Sequence, residues 1–322
     1  MDKSKLKVKS IIGLLGILIF LTFDLMLFGA GVRALDAGLA CPDWPLCFGK
    51  VVPDLHLGVW LEFGHRAIAG FVFILFVVLI FKSLKLKGYS GFKWMLGFGF
   101  FMLVAQVIMG GLTVLRLLEP GIVTLHLTLA TVFLGTLYIM REYAKREVSE
   151  KVKNSVSMLM RFLLTLPVAV VFGQIMLGGW VATTYSGMVC VDFPTCNGSL
   201  IPTLEGPIGI QVIHRLGAYL TALVVSGFAF YVLFAKSFAS NLRLKKLAIY
   251  SVVMVFAQIG LGVMNVFLLI PAWMTVLHLA GALVLFRFCL ETSIVSWMGE
   301  VVEAKSEKLA TQKIPKIQVA KS

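Results

Sequence analysis

Charge is scarce in this sequence. Only 14% of its 322 residues are Asp, Glu, Lys or Arg, against about 25% in a typical soluble domain. Hydrophobic residues make up 59%. A soluble enzyme, a disordered chain and a nucleic-acid binder all fit this balance poorly. Acidic groups are the scarcest, 16 against 29 basic ones, which leaves a net charge of +13. In a membrane protein such an excess marks basic loops on one side of the bilayer rather than a surface for an acidic partner. Cysteine is sparse as well: five residues are too few for a disulfide scaffold but enough for one or two bridges. Histidine also numbers five, so its placement carries information.

A helix needs about 20 apolar residues to span the hydrocarbon core. Eight stretches qualify: 11–33, 57–81, 94–115, 121–141, 158–183, 207–235, 247–270 and 272–296. The first follows the basic segment KSKLKVKS, but its apolar run exceeds the ~7–15 residues of a signal-peptide core, so it reads as a retained helix. Pro271 disfavours helix at Ile270 and separates the last two spans. The chain is therefore expected to be an all-α membrane protein with eight transmembrane helices. Of the 29 basic residues, 23 fall before helix 1, in the 2–3, 4–5 and 6–7 connections, or in the tail. These are alternate connections, so both termini are expected to be cytoplasmic.

The opposite connections carry the most unusual residues. CPDWPLCFGK runs from Cys41 to Lys50, and CVDFPTCNGS from Cys190 to Ser199, 149 residues later. At the same offset Pro53 matches Pro202, Gly29 matches Gly178, and His65-Arg66 matches His214-Arg215. Gln106 matches Gln258, and Leu125-His126-Leu127 matches Leu277-His278-Leu279, at an offset of 152. A three-residue slip in a connection explains the change. The chain reads as tandem halves, 1–150 and 151–322, each a four-helix bundle. An even helix count per half makes the repeats parallel, related by an axis along the membrane normal.

Four of the five histidines occupy these repeat positions, near the outer starts of helices 2, 4, 6 and 8. Ionisable residues inside a membrane are costly and usually functional. A neutral histidine bonded to a neighbouring helix is the plain alternative for any one of them, but four at matched depth favour a shared task. Two imidazoles facing each other across a bundle are the axial ligand set of haem, whose large apolar slot a bundle core supplies. Zinc takes about four ligands and each half offers two. One haem site per half is expected: His65 with His126, and His214 with His278. Arg66 and Arg215 lie next to these ligands and either pair with haem propionates or snorkel to headgroups.

The halves differ at one matched position. Glu62 sits three residues before His65, on the same helix face, whereas Gln211 precedes His214. A carboxylate moves protons and an amide does not. The first half is thus expected to be the reaction site and the second an electron carrier. Glu62 as an interfacial residue reaching outer water is the competing view. Asp24 in helix 1 is a weaker candidate for a proton path, and Arg287 with Glu291 reads as a structural pair.

Cys41, Cys47, Cys190 and Cys196 lie on the outer side, where disulfides persist. Four cysteines allow three pairings. The recurrent five-residue gap favours bridges within each loop, Cys41–Cys47 and Cys190–Cys196, which would stiffen caps over the haem slots. A redox role is the alternative, although the spacing is not C-x-x-C. His56 could join a metal site with the first pair, but Glu205 stands at the matching position. Cys289 reads as a small core residue.

Together these features resemble the heme A synthase family. The resemblance rests on FGAGVRALDAGLACPDWPLCFG, on EFGHR at Glu62–Arg66, on IHR at His214, and on LHL at His126 and His278. It covers nearly the whole chain. It implies a membrane oxidoreductase of the prokaryotic inner membrane that converts the C8 methyl of heme O to a formyl group, giving heme A for terminal cytochrome oxidases. The implied route is successive hydroxylation to a geminal diol that loses water. His65 and His126 would bind substrate or product haem, His214 and His278 would hold a permanent haem b, Glu62 would be the catalytic carboxylate, and the Cys41–Cys47 pair would matter for activity. Implied partners are a heme O synthase, oxidase assembly factors, membrane lipid and further copies of the chain. The absence of a segment to bind a nicotinamide or flavin assigns electron transfer to a separate partner. A diheme electron-transfer cytochrome would use the same histidines without the Glu62 asymmetry. A disulfide-forming oxidoreductase would need only the cysteines, and a transporter would place its site at broken midplane helices.

Overall fold

The computed structural model describes residues 3–54, 56–84, 90–148, 150–151, 156–200, 202–239, 241–299 and 301–302. Among these residues eight helices are long and apolar enough to cross a membrane: α1 (Lys3–Ala34), α2 (Leu57–Leu84), α3 (Ser90–Leu115), α4 (Pro120–Arg146), α5 (Met158–Thr183), α6 (Gly206–Phe234), α7 (Leu242–Phe267) and α8 (Ala272–Met298). Lipid offers no partner to an exposed peptide group, so a helix that satisfies its own backbone is the form a lone crossing segment adopts. With 26 to 32 residues each, the helices run roughly 39–48 Å at 1.5 Å per residue, longer than the hydrocarbon core.

All eight expected spans are present, with differences at their ends. α1 begins eight residues before the expected start at 11 and takes in much of the basic leader, because a polar helical turn can continue in water beyond the apolar run. α7 begins at Leu242 rather than 247 for the same reason, its N-terminus capped by Asn241, whose side chain accepts from Leu244 N at 2.9 Å. α7 stops at Phe267 rather than 270 because Leu269 and Ile270 adopt left-handed backbone (φ +62° and +53°), and Pro271 then opens α8. Leu117 and Leu118, ahead of α4 and Pro120, do the same (φ +51° and +60°). The charge argument relied in part on Lys85, Lys87, Lys153 and the tail lysines, which lie outside the described residues. A two-residue antiparallel pair, Glu150–Lys151 with Val301–Val302, was not foreseen; it ties the α4–α5 connection to the segment after α8.

In the first half α1 packs against α2 and α4, and α3 against α4. In the second α5 packs against α6 and α8, and α7 against α6 and α8. The halves meet where α1 lies on α8 and where α4 lies on α5 and α8. α2 and α3 share little contact, whereas α6 and α7 pack along their length. One apolar cluster fills the first half, with Leu15, Leu18, Phe76, Leu79, Phe133 and Leu137 at its centre. A second bridges the halves through Leu134, Ile175, Leu283 and Phe286. Large apolar side chains such as Phe20, Phe71, Phe101 and Phe230 are exposed, the pattern of helices solvated by lipid rather than water. At the end opposite the cysteine loops, Arg243 of α7 reaches Glu142 of α4 at 3.0 Å, and Lys145 binds the same carboxylate, joining the two halves.

Each cysteine loop closes on itself. Cys47 and Lys50 exchange backbone hydrogen bonds around Phe48 and Gly49, both with positive φ. Cys196 and Ser199 do so around Asn197 and Gly198. Such two-residue turns favour Asn-Gly, so the second loop has the more favourable sequence. An aspartate braces each turn. Asp43 accepts from Phe48 N at 2.6 Å and Gly49 N at 2.8 Å. Asp192 accepts from the Thr195 hydroxyl, from Asn197 N at 2.6 Å and from Gly198 N at 2.9 Å. The Thr195 hydroxyl and these amides hold the Asp192 carboxyl down to about 2 from its ordinary 3.8. A depressed carboxyl pKa stabilises the fold above the unfolded value and ceases to do so as pH falls through the folded one. Protection of the Asn197 and Gly198 amides, relative to their intrinsic exchange rates, should therefore hold through pH 3.8 and fall only as pH approaches about 2, read by hydrogen exchange with mass spectrometry.

Candidate functional site

Each of the four repeat-position histidines faces a glycine on a neighbouring helix. A β-carbon at Gly29 of α1 would stand 2.8 Å from Cε1 of His65 on α2. The matching distances are 3.2 Å from Gly110 of α3 to His126 on α4, 3.3 Å from Gly178 of α5 to His214 on α6, and 3.0 Å from Gly262 of α7 to His278 on α8. Real β-carbons essentially never approach so closely as the first of these, and the others are tight. The imidazoles thus sit against backbone that carries no side chain, most closely at Gly29. Gly110 and Gly262 share the 152-residue offset of His126 and His278, so the sequence itself carries this signal.

The ring nitrogens are held differently in the two halves. On α5, Gln174 places Nε2 3.1 Å from His214 Nδ1 and donates to the His214 carbonyl at 2.8 Å. On α7, Gln258 places Nε2 3.1 Å from His278 Nδ1 and donates to the His278 carbonyl at 2.7 Å. In the first half Gln106 Nε2 lies 3.3 Å from His126 Nε2, while Nδ1 of both His65 and His126 is buried without a hydrogen-bond partner. The position matching Gln174 is Leu25, so His65 lacks its glutamine. Gln174 escaped the sequence reading for this reason: a repeat search rewards identity, and this position differs.

Glu62 is 4% exposed. One carboxylate oxygen accepts from the backbone N–H of Cys41 at 2.7 Å, and the other from Arg66 Nη2 at 2.5 Å. Arg66 also donates to three loop carbonyls: Asp43 and Leu46 through Nη1, both at 2.8 Å, and Cys41 through Nη2 at 3.4 Å. Arg215 grips the second loop at the carbonyls of Thr195 (2.7 Å) and Cys190 (3.0 Å). Gln211 is buried, and its side-chain oxygen has no hydrogen-bond partner. The first loop is therefore tied to its helix through a carboxylate, and the second is not.

Both disulfides form within their loops, Cys41–Cys47 and Cys190–Cys196, and all four cysteines are buried. The indole of Trp44, inside the first loop, lies on Gly111 of α3, where a β-carbon would come within 2.9 Å of it. Outside the slots, Arg33 of α1 stacks over Tyr185 of the second half at 4.4 Å. Thr124 and Thr183 meet at 3.2 Å between α4 and α5. Arg287 bonds Glu291 at 3.0 Å. Asp24 and His56 are exposed, and Cys289 is buried in the core between the halves. Among the described residues no group of three or more His, Cys, Asp or Glu side chains converges. Paired imidazoles with no further protein ligand suit a group that brings its own equatorial donors, as haem does.

If the glycines define room for ligand imidazoles, Gly262→Val should lower haem bound per protein by roughly tenfold, the scale on which support around a metal ligand acts. Gly173→Val, where a β-carbon meets nothing within 4 Å, should leave it unchanged. Pyridine haemochrome assay of the purified variants reads both.

Known proteins share this arrangement of sequence. The chain is 29% identical over 327 residues to a heme A synthase of Shewanella oneidensis, covering 88% of this chain and 96% of that one. It is 31% identical over 212 residues to a heme A synthase of Symbiobacterium thermophilum, covering 62% and 68%. A heme A synthase of Rhizobium johnstonii is 26% identical over 340 residues, 88% of each chain. Residues 13–290 match the family described as COX15-CtaA, cytochrome oxidase assembly protein, and since that match spans most of the sequence, the chain belongs to the COX15-CtaA family.

Proposed function

We propose that the protein is a heme A synthase, oxidising the C8 methyl of heme O to a formyl group, with substrate held in residues 1–150 and a permanent haem b in residues 151–322. The observation that carries this division is the difference at matched positions. The first half has Glu62 and Leu25 where the second has Gln211 and Gln174. Histidines steadied by glutamines suit a group that stays; His65, with no such hold, suits a substrate that must enter and leave. The tandem parallel repeat is supported by recurring backbone features: left-handed pairs precede both α4 and α8, and both loops carry the same turn.

His65 and His126 bind the substrate haem through their ring nitrogens, and the buried, unpartnered Nδ1 atoms of these rings belong to a slot built for a further group. Haem b between His214 and His278 supplies one-electron redox chemistry when bound. With water as the source of the oxygen, raising a methyl carbon to the aldehyde level releases protons and electrons in equal number; a separate partner would take the electrons, and the Glu62 carboxylate, one helical turn from His65, would accept the protons in turn at the oxygen that faces the Cys41 amide. The cysteine loop covers the outer end of the slot and limits water. Arg215 uses two of its five N–H groups on its loop and keeps others for haem propionates.

Both termini lie on the cytoplasmic side of a prokaryotic inner membrane, and the cysteine loops and haem sites face outward. The described basic residues at the ends opposite those loops support this orientation. A separate partner takes up the electrons, a heme O synthase supplies substrate, oxidase assembly factors receive product, and self-association into homo-oligomers is compatible with the lipid-facing helices.

Co-expression with a heme O-producing farnesyltransferase, followed by chromatography of extracted haems, tests the reaction. Heme A should form and should vanish with Glu62→Ala or His65→Ala. Protein carrying haem b alone, with heme O never converted, would favour a diheme electron-transfer cytochrome. Alanine at His214 or His278 should remove one low-spin haem b signal from the absorption spectrum; an unchanged spectrum sinks the pairing.

A further inference from the structure

We propose that Arg66 is a positioning residue that fixes the cysteine loop over the first slot and the Glu62 carboxylate in one orientation, rather than a ligand for substrate propionates. This rests on the reading of the first half as the reaction site. A guanidinium has five N–H donors. Arg66 spends four: two from Nη1 on the carbonyls of Asp43 and Leu46, and two from Nη2 on the carbonyl of Cys41 and on Glu62. Only the Nε donor remains, too little to grip a propionate as a fork.

The same four bonds close a circuit. Glu62 accepts from Cys41 N–H with one oxygen and from Arg66 with the other, so the carboxylate cannot swing about its terminal bond without losing one of them. Arg66 in turn reaches three carbonyls within the ring that the Cys41–Cys47 bridge closes. The bridge sets the spacing of those carbonyls, the carbonyls set Arg66, and Arg66 with the Cys41 amide sets Glu62. This gives the first bridge a task that needs no electron exchange. The second half lacks the circuit: Arg215 holds two loop carbonyls, and the Gln211 side-chain oxygen accepts nothing. A guanidinium spans such a fan of acceptors and an ammonium does not, so Arg66→Lys is the informative variant.

The test uses full-length protein in lipid nanodiscs. Opening of each bridge is timed with a phosphine reductant, thiols are tagged with a maleimide, and the two loops are separated by peptide mass spectrometry. Arg66→Lys should speed opening of Cys41–Cys47 by about tenfold, the scale of losing one hydrogen bond to a charged group, and leave Cys190–Cys196 unchanged. It should lower kcat for heme A formation by about tenfold or more with KM for heme O within about threefold, as expected when substrate binding is retained. Glu62→Gln offers one acceptor where the circuit needs two, so heme A formation should be lost and the Cys41–Cys47 bridge should also open faster than in the parent, by about tenfold. An unchanged opening rate in Arg66→Lys, or a KM raised tenfold with kcat retained, overturns the proposal. Failure of the parent protein to make heme A would reject the reaction-site reading, while the opening rates would still decide whether Arg66 fixes the loop.

Discussion

An acidic and a basic side chain four residues apart on α2, Glu62 and Arg66, meet where the membrane helix runs under its cysteine loop. Neither is stable there alone: taking one member from a buried ion pair typically costs about 3–5 kcal/mol, because the other is left charged and uncompensated. Together, with the Cys41 amide and three loop carbonyls completing their shells, they are satisfied. The loop thus cannot be understood apart from the helix. Its cysteines, its aspartate-braced turn and the Trp44 contact with Gly111 place carbonyls where Arg66 needs them, and Arg66 places the carboxylate beside the histidine slot.

Space in the slots is set by what is missing. Four glycines face four imidazoles; a larger residue at Gly29 would have to displace the His65 ring, and one at Gly110, Gly178 or Gly262 would press its ring by a few tenths of an ångström. The glutamines add orientation, at His214 and His278 through Nδ1 and at His126 through Nε2, but not at His65. On the proposed division of tasks, this unequal hold separates a site that keeps its occupant from one that exchanges it.

The helices were legible because lipid imposes one rule on every crossing segment, and the apolar runs record it. Their ends were less legible. Helix continues into water past the apolar run at α1 and α7, and stops short at Phe267 because a leucine and an isoleucine take the left-handed backbone that a sequence reader expects of glycine. Pairing within each loop followed from the repeated cysteine gap. The circuit around Arg66 left no mark, since it depends on the path of the loop back over α2, and neither spacing nor composition encodes that path. Gln174 was hidden by its mismatch with Leu25. The Gly110 and Gly262 pair was hidden only by the ordinariness of glycine in membrane helices.

The bridge between Cys41 and Cys47 also has a bearing on how the protein is made. A thiol pair stays reduced in the cytoplasm and oxidises after export. Until then the loop carbonyls have no fixed spacing, and a newly inserted α2 carries a carboxylate and a guanidinium at its end with only each other for company. With the loops facing outward and Glu62 catalytic, as proposed, export, oxidation and the arming of Glu62 become successive stages of one maturation, and a chain inserted in the opposite orientation would not complete it.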